Sequence, residues 1–332
     1  MSNAEMMTID LSDDAEFLIG LTARFPDKLM KGNEGAAISW VEGDIQAHRD
    51  KLTPGLLAMG SIFLNEQVDA VHVKGLSLPD LPPTPDAYEP VEEASVYSFD
   101  IPHIAISSLA GMAFGTRHVR GGRIMADIFP RTGFKQKQDS AFGSAYDFDF
   151  HADGVVQADT TPDVFTLHCL RNIEQAPTFF SSVRKEDLSE DAFSSLADPV
   201  HTILYEVDNA EDVLRDVPIV AVDNHGSLKL NYYGAAKVRY PSPPEDPNKY
   251  SDALQEFQKA LDKNVQSVNL QPGEMLFVDN RKLLHGRRAF DSSHLDASDR
   301  RWLRRVFIAQ NSSLTAKITE SKDRILTSQY KK

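Results

Sequence analysis

Many short strands, with helices confined to the first third and two later segments, predict a mainly β chain with flanking helices around a barrel or double-sheet jelly roll. Three observations carry this expectation. From residue 121 onward, runs such as GGRIMADIFP, GSAYDFDF, DVFTLHCL, PTFFSSV, HTILYEV, PIVAVDN and SLKLNYY are rich in β-branched and aromatic residues and are divided by turn formers. The regular strand–helix–strand alternation of a doubly wound sheet is missing. So are GxGxxG, the phosphate loop, GxSxG and CxxC, which removes the main support for several nucleotide-dependent and serine-hydrolase readings.

Taken in order, residues 13–30 and 37–64 repeat apolar side chains at helical spacing, with Pro26 and Pro54 marking boundaries or kinks. VDAVHVKGL (68–76) predicts a short strand. The five prolines of SLPDLPPTPDAYEP (77–90) predict an extended surface loop. Residues 101–115 read as a helix, and the strand runs follow. Further helices are expected at about 185–197 and 249–264. VQSVNL, EMLFVDN after the Pro272-Gly273 turn, and RWLRRVFIAQ return the chain to strands. The expected organisation is a single domain. Residues 1–118 form a helical and loop segment packed on a core at 119–312, with a helical insert at about 225–265. Residues 313–332 read as a polar, peripheral tail.

A length of 332 residues, 41% hydrophobic and 25% charged, is ample for a buried core and typical of a globular chain. The formal charge of −14 argues against nucleic acid and anionic membrane surfaces as partners. No apolar run approaches the roughly 18–20 residues of a membrane span. The N-terminus is acidic and shows no secretory signal, and Cys169 is the single cysteine; both point to a reducing cytoplasm. Cys169 lies in the apolar run VFTLHCL, which predicts a buried, inert thiol. Against the acidic background stand Arg281, Lys282, Arg287, Arg288, Arg300, Arg301, Arg304 and Arg305. So dense a basic cluster suggests an anionic small molecule; the alternative is a salt-bridged exterior face.

The stretch AYDFDFHADG (145–154) alternates strictly. Tyr146, Phe148 and Phe150 share one parity, while Asp147, Asp149, His151 and Asp153 share the other. Alternation marks a strand, and it places His151 and Asp153 on one side, as two ligands of a metal would need. With 10 His and 49 acidic residues, about one or two His-x-acid triplets arise by chance. Three occur. His48-Arg49-Asp50 falls in a helical pattern, where positions two apart do not face each other, and His294-Leu295-Asp296 falls in a loop. Only His151-Ala152-Asp153 ends a strand-like run. Asp147 and Asp149 read as solvated or hydrogen-bonded strand residues, and His168 as a satisfied core residue.

The best third ligand is His285 in QPGEMLFVDNRKLLHGRRAF. After it, DRRWLRRVFI places Arg301, Leu303 and Arg305 on one strand face and Trp302, Arg304 and Val306 on the other. An arginine turned into a barrel is costly unless it meets an anion, and a bidentate carboxylate is the usual solution.

Together these segments resemble the Fe(II)- and 2-oxoglutarate-dependent oxygenases, in the clavaminate synthase-like branch near taurine dioxygenase. The resemblance spans roughly 120–310. It rests on DIFP (127–130), the GS-x-x-x-F-x-FHAD run (143–153), CLRN (169–172), Pro177-Thr178, the 270–290 segment and DRRWLRR. It implies a double-stranded β-helix core and iron held by His151, Asp153 and His285, leaving three positions for 2-oxoglutarate and dioxygen. Arg301, before the tryptophan, and Thr178 match the residues that hold the far carboxylate of 2-oxoglutarate; the extra arginine makes Arg300 the alternative. Arg305 matches an arginine that grips the acidic group of the substrate. Gln138, Ser140, Asn231 and Tyr232 fall in regions that meet the substrate in relatives. Because Asp153 keeps the carboxylate that halogenases of this type replace, hydroxylation, desaturation or ring closure is implied rather than halogenation. The family's arginine and lysine hydroxylases often carry acidic residues where this chain has SLKLNYYGAAKVRY, with Lys229, Lys237 and Arg239. An acidic or neutral amino-acid derivative is therefore expected as substrate. Two rival readings are a zinc-type hydrolase or isomerase using the same triad, and a non-catalytic anion-binding jelly roll. Neither explains Thr178, the arginine strand and the triad together.

Overall fold

The computed structural model describes residues 4–63, 68–87, 93, 95–117, 119–137, 142–155, 159–207, 210–222 and 228–327. Gln138 and Ser140 lie outside them. The chain begins with β1 (Met6–Asp10) and three helices, α1 (Ala15–Arg24), α2 (Glu34–Ala47) and α3 (Pro54–Met59). Asn33 caps α2 and Thr53 caps α3, with Pro54 in the first turn where its missing N–H is harmless. Next come β2 (Ala70–Lys74), α4 (Asp100–Ala110), β3 (Met112–Thr116), β4 (Ala126–Ile128), β5 (Phe148–His151), β6 (Val164–Arg171) and β7 (Thr178–Ser181). The third quarter holds α5 (Glu190–Ala197), β8 (His201–Val207), β9 (Ala210–Val217), β10 (Val220–Val222), β11 (Leu228–Leu230), β12 (Val238–Arg239) and α6 (Lys249–Asn264). The chain closes with β13 (Gln266–Val268), β14 (Met275–Asp279), β15 (Leu284–Arg287), β16 (Trp302–Ala309), α7 (Ser312–Glu320) and β17 (Ile325–Leu326).

Two sheets form the double-stranded β-helix. The larger runs β1-β2-β14-β6-β16-β3-β17, with β4 also paired to β16; the smaller runs β13-β7-β15-β5. Phe165, Leu167, Leu276, Val278, Leu303 and Phe307 of the larger sheet meet Phe180 and Val268 of the smaller in the core between them. The outer face of the larger sheet packs on α1–α4, and that of the smaller on α5, α6 and the strands between them. Among the described residues no helix is long and apolar enough to cross a membrane.

Several expectations are corrected. Residues 101–115 are not one helix. Gly111 ends α4, and β3 follows; a side chain at Gly111 would meet the Ala309 carbonyl at 2.6 Å. The N-terminal segment does not merely pack on the core, since β1, β2 and β3 are strands of the larger sheet. The tail is not peripheral either. Asn311 caps α7, Leu314 and Ile318 bury into the core, and β17 pairs with β3. The insert contains β11 and β12 as well as a helix, and β12 joins a three-stranded sheet with β8 and β9. β9 was not anticipated: AEDVLRDV carries four charges among its eight residues, which hides its strand character.

Candidate metal centre

β5 and β15 are antiparallel neighbours, and their register sets His151 opposite His285. The two imidazoles stand with ring centres 4.2 Å apart. Asp153 follows two residues beyond His151, on the same side of the chain. Candidate ligand atoms of His151, Asp153 and His285 all lie within 4.8 Å of one another, and all three residues are buried. Close approach of the strands requires glycine beside His285. A Cβ at Gly286 would lie 2.4 Å from both the Phe148 carbonyl and the Phe179 ring.

The electrostatics suit a cation. Nδ1 of His151 lies 2.8 Å from the Asp149 carbonyl, which can only accept, so a neutral ring keeps its lone pair on Nε2. Burial lowers the basicity of His151, with Asp153 opposing, and pushes His285 well below the usual histidine range, helped by His151. Both rings are held neutral, as metal ligands require. Burial works against the Asp153 carboxylate, but the Arg305 guanidinium holds it net below its ordinary range. Its Oδ1 accepts from Arg305 Nη1 at 2.9 Å, and Nε2 of His285 lies 3.8 Å from Oδ2. Oδ2 is buried without a hydrogen-bond partner among the described residues. An orphaned carboxylate oxygen beside two neutral imidazoles is the donor set of a divalent metal, and iron with two His and one carboxylate fits it.

One strand step away lies a buried arginine beside a threonine. Thr178 precedes Phe180, the cross-strand neighbour of His285, by two residues, or about 7 Å of β-strand. Arg301 donates from Nη2 to Thr178 Oγ1 at 3.3 Å, while its buried Nε has no partner among the described residues. Burial pushes Arg301 down to about 10, so it stays charged at neutral pH. Arg300 turns away and donates to Thr132.

Other predicted residues sit elsewhere. Arg305 reaches the triad itself and lies over the Phe307 ring. Tyr232 is not at the metal: its ring packs on Phe257 and its hydroxyl accepts from Gln258. Asn231 donates to the Pro218 carbonyl and lines a cavity behind the His151–Asp153 loop. Tyr233 is the tyrosine beside the site, bridging to His151 in the backbone with its ring 5.2 Å away. Arg287, named in the basic cluster but given no site role from the sequence, is the cross-strand partner of Thr178. It is buried, and its guanidinium donates to the Gly143 and Arg288 carbonyls. Burial, with nearby Arg301, lowers it to about 9. Its parity with His285 was the available signal. Cys169 is buried, with its thiol pushed up to about 12 by burial, and is inert. His168 is buried as expected, and burial keeps it neutral, but it is not satisfied: neither ring nitrogen has a partner among the described residues.

Residues 105–307 match the taurine catabolism dioxygenase TauD, TfdA family. The chain belongs to this family. Its enzyme class is that of the iron- and 2-oxoglutarate-dependent dioxygenases. Enduracididine beta-hydroxylase of Streptomyces hygroscopicus is 25% identical, over 92% of this chain and 95% of its own. The L-ornithine/L-arginine 3-hydroxylase of Catenulispora acidiphila is 26% identical, covering 78% of this chain and 82% of its own. The fold is that of an asparagine oxygenase solved with Fe(II), 3-hydroxyasparagine and succinate. Its TM-score is 0.79 at 21% identity, covering 98% of this chain and 99% of that one.

Proposed function

We propose that this protein hydroxylates a free amino acid or small amino-acid derivative, using iron, 2-oxoglutarate and dioxygen. One observation carries the reading: a buried His151–Asp153–His285 triad stands one strand step from a buried arginine with an open donor. Bound iron would supply oxidative decarboxylation of 2-oxoglutarate to succinate and carbon dioxide, coupled to attack on an unactivated C–H bond. Arg301 and Thr178 would hold the far carboxylate of the co-substrate, and the neutral imidazoles and Asp153 would hold the metal. Arg305 would orient the substrate through an acidic group, exchanging Asp153 for it or bridging both. Phe165 packs on the His285 ring and Phe307 under the Arg305 guanidinium, so the triad has apolar neighbours.

The relatives' names include basic amino acids, yet the charged side chains acting on Asp153 in this chain include the guanidinium groups of Arg305 and Arg120. That supports an acidic or neutral side chain on the substrate. An anaerobic titration with Fe(II) and 2-oxoglutarate tests the cofactor reading. The wild type should develop the visible charge-transfer band of the chelate, and Asp153→Ala and Arg301→Ala should weaken it. A metal-bound, folded wild type without the band would favour a zinc-type site. Turnover screening then tests the substrate class, and arginine or lysine as best substrate would overturn it.

A further inference from the structure

Asp153 poses a problem of placement. β5 ends at His151, so the backbone N–H and carbonyl of Asp153 lie beyond the sheet ladder, buried and in need of partners. A single side chain serves both. Asn280 Oδ1 accepts from the Asp153 N–H at 2.8 Å, and Asn280 Nδ2 donates to the Asp153 carbonyl at 2.9 Å. The same Nδ2 donates to the Pro162 carbonyl at 3.0 Å, and the Asn280 N–H donates to the Asp163 carbonyl at 2.9 Å. The carboxamide thus pairs with Asp153 as a neighbouring strand would, and also reaches the start of β6.

Asn280 belongs to the turn between β14 and β15, five residues before His285. It is 1% exposed. On the far side of the His151–Asp153 loop lies a cavity of about 190 Å³, lined by Ala152, Val155, Asn231 and Asn280 among others. Ala152 and Val155 pack into the core beside this cavity, and the Asn280 carboxamide fixes the buried backbone of Asp153 between them.

We propose that Asn280 is a positioning residue for the metal triad, tying Asp153 to the hairpin that carries His285. The inference rests on the metal reading of the triad. It makes the placement of the Asp153 backbone depend on one carboxamide, because no ladder bond reaches Asp153, while Arg305 holds the carboxylate. An aspartate at 280 keeps the acceptor but, when ionised, cannot donate to the two carbonyls and repels them.

Asn172 provides the matched control. It is buried and clamps a turn in the same manner, accepting from Ala176 N and donating to the Ala176 and Leu270 carbonyls and Asn269, but it touches no triad residue. The test is Mn(II) binding to the metal-free protein, read by the loss of free Mn(II) signal in electron paramagnetic resonance, with melting temperature in parallel. Asn280→Ala and Asn280→Asp should weaken Mn(II) binding about 10- to 100-fold, the range for residues that orient metal ligands. Asn172→Ala should lose thermal stability and keep wild-type Mn(II) affinity. Should Asn280→Ala not fold, the near-isosteric Asn280→Asp carries the test. Unchanged affinity in folded Asn280→Asp overturns the proposal, as does an equal loss in Asn172→Ala. A wild type that binds no Mn(II) counts instead against the metal reading.

Discussion

β16 and the residue before it place arginines on both faces of one strand, and the two faces treat them differently. Arg304 points toward α4 and is fully buried. It makes a bidentate pair with Asp100 at 2.9 and 2.7 Å and meets both oxygens of Asp127 at 3.1 Å, with the Met125 and Ser95 carbonyls completing its donors. Arg301 points into the barrel, with one long bond to Thr178 and an orphaned Nε. Arg304 arrives with its anions built into the fold. Arg301 makes no ion pair among the described residues; Glu174, a carboxylate acting on it, accepts from its backbone N–H rather than from its guanidinium. A buried cation paired within the fold belongs to its architecture, whereas one without an ion pair is costly unless an anion meets it.

The largest expected effect is on the compensated face. Arg304→Met strands Asp100 and Asp127 in the core and should destabilise by about 3–5 kcal/mol in urea unfolding. A smaller loss would mean that water already reaches those carboxylates. Next, Arg301→Ala should reduce 2-oxoglutarate affinity by about two orders of magnitude or more, with little change in stability. Equal damage to both properties would erase the distinction between the faces.

Acid sharpens the comparison. His103 and His168 lie behind Arg304, with rings 5.2 Å apart, and His103 shares a 2.6 Å hydrogen bond with Thr166. Burial, with Arg304 adding repulsion, lowers His168 to about 3 and His103 well below its usual value. The unfolded chain takes up these protons near pH 6.5, whereas the folded chain refuses them. The His168 contribution to stability is therefore complete above pH 6.5 and is lost as pH falls toward 3, at about 1.4 kcal/mol per pH unit, and His103 acts in the same direction. His168→Leu should flatten that acid limb in denaturation measured from pH 7 to 5. The smallest effect concerns Tyr232. Its hydroxyl has one 3.4 Å bond to Gln258 and faces away from the triad. Tyr232→Phe should leave kcat/KM nearly unchanged, and a large fall would return Tyr232 to the site.

Much of the site was legible because strand parity is a local property. Alternation in 145–153 put His151 and Asp153 on one side, and alternation in 301–305 separated Arg301 and Arg305 from Arg304. Both patterns hold in the folded chain. The helix over 249–264 was equally plain, since its apolar residues recur at helical spacing. Parity names a face, however, and not what that face meets. That Arg304 finds Asp100, 204 residues away, or that Arg305 closes on Asp153 depends on long-range register. The choice of Tyr233 over Tyr232 was of the same kind, because it depends on which residue bridges to His151.

The sequence by itself determined the β character of the chain, the shared side of His151 and Asp153, and the opposite faces of Arg301 and Arg304. These follow from backbone geometry over a few residues. Only the tertiary structure decided that three N-terminal strands join the larger sheet, that α7 seals the core, and that Asn280 holds Asp153. Those depend on hydrogen-bonding groups left unpaired by one segment and satisfied by another far along the chain, which local patterns do not encode.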